Sequence, residues 1–276
     1  MDEIIKAVVY GAIQGLTEFI PISSTAHLRV IPALLGWKDA GAAFSAVIQM
    51  GTLIATLIYF RNDILNLTKG FFSAVKNKDF VSNPESRIFI LIIVGTIPIG
   101  ICGLLFKKFI EGDARGLYVI SASLILLAIV LFIAEKVGTR KKEFEEITIK
   151  DGIIIGLAQA LALIPGSSRS GVTITAGLFR GLKRDVTARY SFLLSIPAIG
   201  LSGLYELYSE RTTLLNENFT VLIIATVVSG VVGYLSIAFL IRYLKTHSNM
   251  VFIIYRIVLG LIIILLLSQG ILSNLE

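Results

Sequence analysis

Uncharged apolar segments of about 17–23 residues recur along the chain and constrain its fold more than any other feature. A helix of about 20 residues is long enough to cross the hydrocarbon core of a bilayer, whereas barrel strands would show alternating hydrophobicity over about ten residues. Only 16% of the residues are charged, compared with roughly a quarter in soluble domains. The sequence therefore predicts an all-α integral membrane protein and excludes a water-soluble enzyme and a disordered chain.

Six of these segments have the length and composition of complete transmembrane helices. They lie at 40–60, 88–106, 116–134, 190–206, 219–241 and 252–272. The last segment carries Arg256 near one end, from where we expect its side chain to extend to the lipid headgroups. The loops between the segments are too short for a soluble domain, so we predict one integral membrane domain, residues 1–276.

Two further apolar stretches are interrupted by proline and small polar residues. Hairpin one runs from Ile4 to Ile20, meets Pro21 and Ser23-Ser24-Thr25, and continues to Trp37. Hairpin two runs from Gly152 to Ile164, meets Pro165-Gly166 and Ser167-Ser168-Arg169-Ser170, and continues to Phe179. Its first 13 residues rise only about 20 Å as a helix, which is less than the roughly 30 Å of the hydrocarbon core. We therefore predict two re-entrant helical hairpins.

The two hairpins resemble each other in sequence. Gly11-Ala-Ile-Gln-Gly-Leu matches Gly156-Leu-Ala-Gln-Ala-Leu, Pro21-Ile-Ser-Ser matches Pro165-Gly-Ser-Ser, and Phe44-Ser45 matches Tyr190-Ser191. Broken helices at corresponding places indicate an inverted repeat with a site where the halves meet. We predict repeat halves of approximately 1–134 and 150–276.

The distribution of basic residues predicts the orientation in the membrane. Segments 61–87, 135–189 and 242–256 hold 18 of the 25 Lys and Arg residues, and the segments predicted on the opposite face hold the other 7. The richer face should be cytoplasmic, so hairpin one enters from outside, hairpin two enters from the cytoplasm, and their tips meet. Because the basic residues lie in loops, the net charge of +6 does not indicate a nucleic-acid partner.

Hairpin one carries an acidic residue at membrane depth. Glu18 lies just before the break, and Gln14 lies one helical turn earlier on the same face. An ionisable side chain at the bilayer centre costs roughly 2.5–3.5 kcal/mol, so a function or a partner has to offset it. After the break come the polar residues Ser23, Ser24, Thr25 and His27. Ser24 and His27 should share a helix face.

A purely structural interpretation of hairpin one is also open. In it, Ser23 or Ser24 caps a helix, His27 is a buried polar residue, and Glu18 pairs with Arg29.

Hairpin two carries a segment suited to binding an anion. Pro165-Gly-Ser-Ser-Arg-Ser-Gly-Val-Thr173 combines glycines, hydroxyls and one arginine before a helix predicted to start at Gly171. Amides at a helix N-terminus and a guanidinium bind phosphate oxygens. The candidate phosphate ligands of both hairpins are Ser23, Thr25, Gly166, Ser167, Ser168, Ser170, Gly171 and Thr173. In the alternative interpretation, the segment is a Ser/Gly-rich loop, and the charge of Arg169 only helps to set the orientation of the chain in the membrane.

The segments from Gln14 to His27 and from Pro165 to Thr173 resemble the two signature motifs of the undecaprenyl-diphosphate phosphatase family, also called the bacitracin-resistance protein family. The resemblance covers essentially the whole chain. It implies a membrane phosphatase that removes the terminal phosphate of undecaprenyl (C55 polyprenyl) diphosphate and so recycles the lipid carrier for peptidoglycan synthesis. It implies a plasma-membrane location, a site open to the extracytoplasmic side, and catalytic roles for Glu18, Ser24, His27 and Arg169.

The resemblance also implies a divalent cation, Mg²⁺ or Ca²⁺, with Glu18 as a ligand. Gln14 stands where the family has Glu or Gln, so a two-carboxylate metal site is in doubt and the substrate phosphates would supply more of the ligands. The expected partners are a polyprenyl diphosphate lipid and membrane lipid, and a homodimer stays open. Ser24, His27 or water could be the nucleophile. The alternative function is a secondary transporter or lipid flippase, because broken helices in inverted repeats are typical of transporters.

Overall fold

The computed structural model describes residues 2–37, 41–80, 82–214 and 218–274, and their regular structure is helical apart from one isolated bridge between Lys142 and Leu182. The α-helices are α1 Asp2–Phe19, α2 Ser24–Leu34, α3 Gly41–Tyr59, α4 Arg61–Asn77, α5 Pro84–Leu105, α6 Lys107–Glu111, α7 Leu117–Val137, α8 Ile149–Gln159, α9 Arg169–Phe179, α10 Arg184–Ser209, α11 Arg211–Leu214, α12 Phe219–Leu244 and α13 Met250–Ser268. Short 3₁₀ turns cover Asp113–Arg115, Phe144–Glu146 and Ala160–Leu163. The predicted all-α class is confirmed.

Helices α5, α7, α10, α12 and α13 are long and apolar enough to cross a membrane. The sixth predicted span is α3, whose apolar part continues into α4 after a bend of 70°. The sequence pattern predicted no helix between residues 61 and 87. The structure corrects this, because α4 covers Arg61–Asn77. Helix α4 is amphipathic: Leu67 and Ala74 are buried against the protein, while Phe72 is exposed.

Each hairpin returns to the side from which it starts. In hairpin one, the Lys6 ammonium lies 5.4 Å from the ring centroid of Trp37, just beyond the end of α2. In hairpin two, Arg180 at the end of α9 donates from Nε to Oδ1 of Asp151 in the first turn of α8, at 2.7 Å. Both segments therefore fold back as predicted.

Segments predicted to share a membrane face also contact one another. On the predicted outer face, Asn218 Nδ2 donates to Glu3 Oε2 at 3.2 Å. On the predicted inner face, Arg87 of segment 61–87 donates from Nε to the carbonyl oxygen of Ile147 in segment 135–189 at 2.9 Å. The side chains thus group the loops into the same two faces that the basic residues indicate.

A serine with a positive φ begins the second helix of each hairpin. Ser23 has φ 76° and Ser168 has φ 66°, values that non-glycine residues rarely adopt. Ser23 Oγ accepts from the amide of Ala26 at 3.4 Å, and Ser168 Oγ accepts from the amide of Gly171 at 3.2 Å. Because Ser168 is the N-cap, α9 begins at Arg169, and the predicted start at Gly171 is wrong.

These two caps define a register between the hairpins. Aligning Ser23 with Ser168 also aligns Gln14 with Gln159, as the sequence comparison does. It pairs Pro21 with Gly166, so the sequence match of Pro21 to Pro165 is wrong by one residue. The repeat halves 1–134 and 150–276 stay a prediction, while the recurrent cap places Ser24 and Arg169 at the same position, the first residue of a helix.

Hairpin two is anchored by a close approach of α8 to α5. A Cβ on Gly156 would lie 2.5 Å from the Cα of Gly95, a distance that no side chain tolerates. Small residues let membrane helices pack backbone against backbone. This contact fixes the hairpin that carries Arg169.

Candidate active site

The Glu18 carboxylate lies at the end of α1 and is 6% exposed. Its Oε2 accepts from Gln14 Nε2 at 2.9 Å and from Ser24 Oγ at 3.1 Å. Its Oε1 accepts from Arg169 Nη2 at 3.0 Å and from Gln49 Nε2 at 3.3 Å. The four donors come from α1, α2, α3 and α9, so both hairpins and α3 meet at this carboxylate.

The ion pair between Glu18 and Arg169 joins the two hairpins. The interpretation in which Glu18 pairs with Arg29 is therefore wrong. Arg169 also donates from Nη1 to the carbonyl of Ser191 at 3.4 Å, and its buried Nε has no hydrogen-bond partner among the described residues. A guanidinium held on one edge, with a free donor on another, is able to bind a further anion.

The two breaks meet at a second point. The Gly166 amide donates to Thr25 Oγ1 at 3.2 Å. Gly166 has φ 88°, and a Cβ there would lie 2.5 Å from the carbonyl oxygen of Ile120, so only glycine fits. The prediction that the hairpin tips come together is confirmed.

We call the place where the two breaks meet, at the Glu18–Arg169 and Thr25–Gly166 contacts, the junction. The N-termini of α2 and α9 converge on it. Helix α2 begins at Ser24 and α9 at Arg169, and both side chains contact Glu18. The first backbone amides of any helix lack intrahelical acceptors, and the helix dipole makes that end attractive to anions. The junction is therefore suited to a ligand with several negative oxygens.

His27 does not share its hydrogen bonds with Ser24, although the spacing predicts a common face. His27 Nδ1 lies 2.7 Å from the carbonyl oxygen of Ser23, and its Nε2 lies 2.7 Å from the hydroxyl of Tyr255. Ser24 turns to Glu18 instead. Glu18 is thus the base within hydrogen-bond distance of the Ser24 hydroxyl.

Most of the candidate phosphate ligands use their hydroxyls to hold the two breaks. The hydroxyl pairs are Ser23 with Thr25, Ser168 with Ser170, and Thr173 with Ser191, and Ser167 donates to the carbonyl of Leu161. Apart from Thr25, the candidates among these residues are buried. Their role as direct phosphate ligands stays a prediction.

Arg256 lies inside the protein and not at the headgroups, so the expectation from sequence is wrong. It is 0% exposed, and its Nη2 donates to the carbonyl oxygens of Ser167 at 2.9 Å and of Gly166 at 3.4 Å. A broken helix leaves carbonyls without partners, and buried carbonyls need donors. Arg256 supplies them to the second break.

Three residues of the junction, Gln49, Tyr255 and Arg256, were missed as site residues by sequence reasoning. Gln49 lies in a helix that is otherwise almost entirely apolar, and an amide side chain in such a helix is a signal for a polar partner. Tyr255 and Arg256 give a weaker signal, because aromatic and basic residues are common near span ends.

The donor set does not form a complete metal site. Among the residues that the structure describes, no three His, Cys, Asp or Glu side chains are grouped to hold a metal ion. Glu18 is the carboxylate of the junction, with the amides of Gln14 and Gln49 beside it. Mg²⁺ and Ca²⁺ take at least six oxygen ligands, so water and a bound ligand would have to supply most of them.

Comparison with known proteins places these motifs in one family. The family described as "Bacitracin resistance protein BacA" matches residues 7–262. The undecaprenyl-diphosphatase of Chloroherpeton thalassium is 54% identical, over 97% of this chain and 98% of its own. The undecaprenyl-diphosphatase of Prosthecochloris aestuarii is 52% identical, over 96% of this chain and 97% of its own. The undecaprenyl-diphosphatase of Myxococcus xanthus is 50% identical, over 98% of this chain and 91% of its own.

Proposed function

The chain belongs to the bacitracin resistance protein BacA family, and we propose that it is an undecaprenyl-diphosphatase. In this proposal it hydrolyses undecaprenyl diphosphate to undecaprenyl phosphate and inorganic phosphate. The observation that carries the chemistry is the contact of Ser24 and Arg169 with one buried carboxylate, Glu18, where two helix N-termini converge. That arrangement combines a nucleophile, a base and a phosphate-binding cation.

Arg169 and the amides at the start of α9 bind the diphosphate. Arg169 has an unpartnered Nε, and phosphate oxygens accept two parallel bonds from a guanidinium. The amides of Arg169 and Ser170 belong to the first turn of α9, whose N–H groups lack intrahelical acceptors. Positioning and charge neutralisation supply most of the catalysis in phosphoryl transfer, so these contacts do most of the catalytic work.

Ser24 is the nucleophile and Glu18 is its base. Ser24 Oγ attacks the terminal phosphorus while its proton moves to Glu18 Oε2, 3.1 Å away. The bond from phosphorus to the bridging oxygen breaks, and undecaprenyl phosphate leaves. Water then attacks the phosphoserine, Glu18 returns its proton to Ser24 Oγ, and inorganic phosphate leaves with the protons of the water. Serine requires such a base to react at neutral pH.

A divalent cation fits this site only together with the substrate. Glu18 and the substrate oxygens would share its coordination, because no group of three or more His, Cys, Asp or Glu side chains lies together in the part of the chain that the structure describes. Mg²⁺ is commonly held by one or two carboxylates and substrate phosphates. Bound in that way, it would neutralise charge on the diphosphate.

We place the enzyme in the plasma membrane with its site open to the extracytoplasmic side. The chain is a multi-pass membrane protein, and the excess of Lys and Arg on the face of 61–87, 135–189 and 242–256 marks that face as cytoplasmic. Hairpin one then enters from the extracytoplasmic side. The product, undecaprenyl phosphate, is used again as the lipid carrier of peptidoglycan precursors.

Release of inorganic phosphate by purified protein in detergent tests this proposal. A phosphatase releases phosphate from undecaprenyl diphosphate with no membrane to cross, whereas a transporter or flippase releases none. The Ser24–Glu18 contact favours hydrolysis, because transport requires no nucleophile. Titrating Mg²⁺ and Ca²⁺ in the same assay measures the metal requirement. Absence of phosphate release at every metal concentration would contradict the proposal.

A further inference from the structure

Tyr255 and His27 form a stacked, hydrogen-bonded pair beside the junction. Their rings are nearly parallel, 6° apart in angle with centroids 5.6 Å apart, and Tyr255 Oη lies 2.7 Å from His27 Nε2. His27 lies on α2, and Tyr255 lies on α13 and is 42% exposed. The pair therefore ties hairpin one to the last span.

The contacts of His27 fix the position of its ring proton. Nδ1 faces the carbonyl oxygen of Ser23 at 2.7 Å, and a carbonyl oxygen only accepts, so Nδ1 carries the hydrogen. In a neutral ring Nε2 is then the acceptor, and the Tyr255 hydroxyl donates to it. Both nitrogens are occupied before any substrate binds.

The carbonyl that His27 holds belongs to a residue with unusual backbone geometry. Ser23 has φ 76°, in a region that non-glycine residues rarely adopt and that persists only where the surroundings enforce it. The next residue is Ser24, whose Oγ lies 3.1 Å from Glu18 Oε2. The orientation of the Ser23 peptide therefore sets the direction of Ser24.

We infer that His27 and Tyr255 are positioning residues. Tyr255 holds the His27 ring in its Nδ1–H form, His27 holds the Ser23 carbonyl, and the Ser23 peptide aims Ser24 at Glu18. The inference rests on the proposed function, and it assigns the proton of Ser24 to Glu18. A His27 that acted as base or nucleophile would need a free Nε2, which Tyr255 occupies.

Nitrogen NMR tests the pair without any activity measurement. The chain has two histidines, so protein labelled with ¹⁵N-histidine gives two sets of ring signals, and His247→Asn assigns them. We expect His27 to show a protonated Nδ1 and an unprotonated Nε2, and we expect Tyr255→Phe to shift the Nε2 signal. A protonated Nε2, or a spectrum unchanged by Tyr255→Phe, would overturn the inference.

Hydrolysis of undecaprenyl diphosphate by His27 variants separates a positioning residue from a base. The side-chain amide of His27→Asn puts a donor near the place of Nδ1, so it should keep kcat within about tenfold of wild type, while His27→Ala should lose at least 100-fold. Neither side chain can act as base or nucleophile. If His27→Asn folds with the melting temperature of wild type and is as inactive as His27→Ala, the inference is wrong; if it does not fold, the NMR measurement decides.

Tyr255→Phe keeps the stacking ring and removes the donor. We expect kcat to fall about tenfold, with KM and the shape of the pH–rate profile unchanged, because His27 does not titrate as the base. A shifted limb in that profile would contradict the inference. Tyr243→Phe is the matched control, since Tyr243 stacks on His247 in a similar pair, and its kcat should not change. A wild-type protein that releases no phosphate would refute the proposed function and leave the NMR test of the pair intact.

Discussion

Arg169 Nη2 lies 3.0 Å from Glu18 Oε1, which joins two residues 151 positions apart in the chain. Each hairpin carries one charge of this buried pair, so neither charge is compensated without the other hairpin. Removing one partner of a buried ion pair leaves an uncompensated charge and costs roughly 3–5 kcal/mol. The same contact places the acid of hairpin one beside the residue of hairpin two that we propose binds phosphate.

We predict that Arg169→Lys retains the fold but loses at least 100-fold in kcat/KM. Lysine keeps a positive charge near Glu18 and loses the planar fork that binds two phosphate oxygens. Arg169→Ala should lose at least 1000-fold, about 4 kcal/mol of transition-state stabilisation. Phosphate-release kinetics measure both. Arg211→Ala, on an exposed residue, is the control, and near-normal turnover by Arg169→Ala would exclude this site assignment.

We predict that Ser24→Ala loses at least 1000-fold in kcat and forms no phosphorylated protein. Substrate labelled in the terminal phosphate should transfer its label to wild type after rapid acid quenching. Ser268→Ala should behave as wild type, since Ser268 Oγ donates only to its own helix, at Leu265. Substantial turnover by Ser24→Ala would exclude Ser24 as nucleophile.

We predict that Gly156→Ala lowers the melting temperature and reduces activity. Its Cβ would lie 2.5 Å from the Gly95 Cα, so α8 would have to move away from α5. Gly100→Ala is the matched control, because a Cβ on Gly100 meets nothing within 4 Å, and alanine is favoured over glycine in a helix by about 1 kcal/mol. Equal melting temperatures for the two variants would show that the close approach is not required.

We predict that Arg256→Met lowers the melting temperature and raises KM for the substrate. Methionine fills the buried space but leaves the carbonyls of Ser167 and Gly166 without their donor. Each buried polar group left unsatisfied costs about 1–3 kcal/mol. Arg242→Met, at an exposed residue, should change neither quantity. An Arg256→Met variant with the melting temperature and the KM of wild type would show that Arg256 does not support the second break.

The fold could be predicted because hydrophobic length and charge are local properties of the sequence. Apolar segments gave the six spans, and the polar interruptions at Ser23 and Ser168 gave the two breaks. Helix α4 was missed, because its apolar residues form one stripe among Lys and Asn and do not make an apolar run. Helix periodicity at 61–77 contained that signal.

The site could be predicted only in part, because its geometry depends on which groups the breaks leave unsatisfied. Glu18 and Arg169 are charged residues in apolar sequence, so residue type alone made them candidates. The catalytic role of Ser24 came from the resemblance to a family. The roles of Arg256 and Tyr255 depend on contacts with carbonyls and a ring distant in sequence. No local pattern encodes such partners.

Cross-linking across the junction tests the central claim that the two breaks form one site. With the chain's one cysteine, Cys102, replaced by alanine, Glu18→Cys and Arg169→Cys remove both charges of the pair together and place two thiols at the junction. The protein is treated with a short bifunctional thiol-reactive cross-linker, such as a bis-methanethiosulfonate, and is then cleaved at a protease site introduced between α4 and α5, which lies between the two cysteines in the chain. We expect the two fragments to stay joined in denaturing gels, and each single-cysteine variant to separate. Complete separation of the double-cysteine protein would contradict the account.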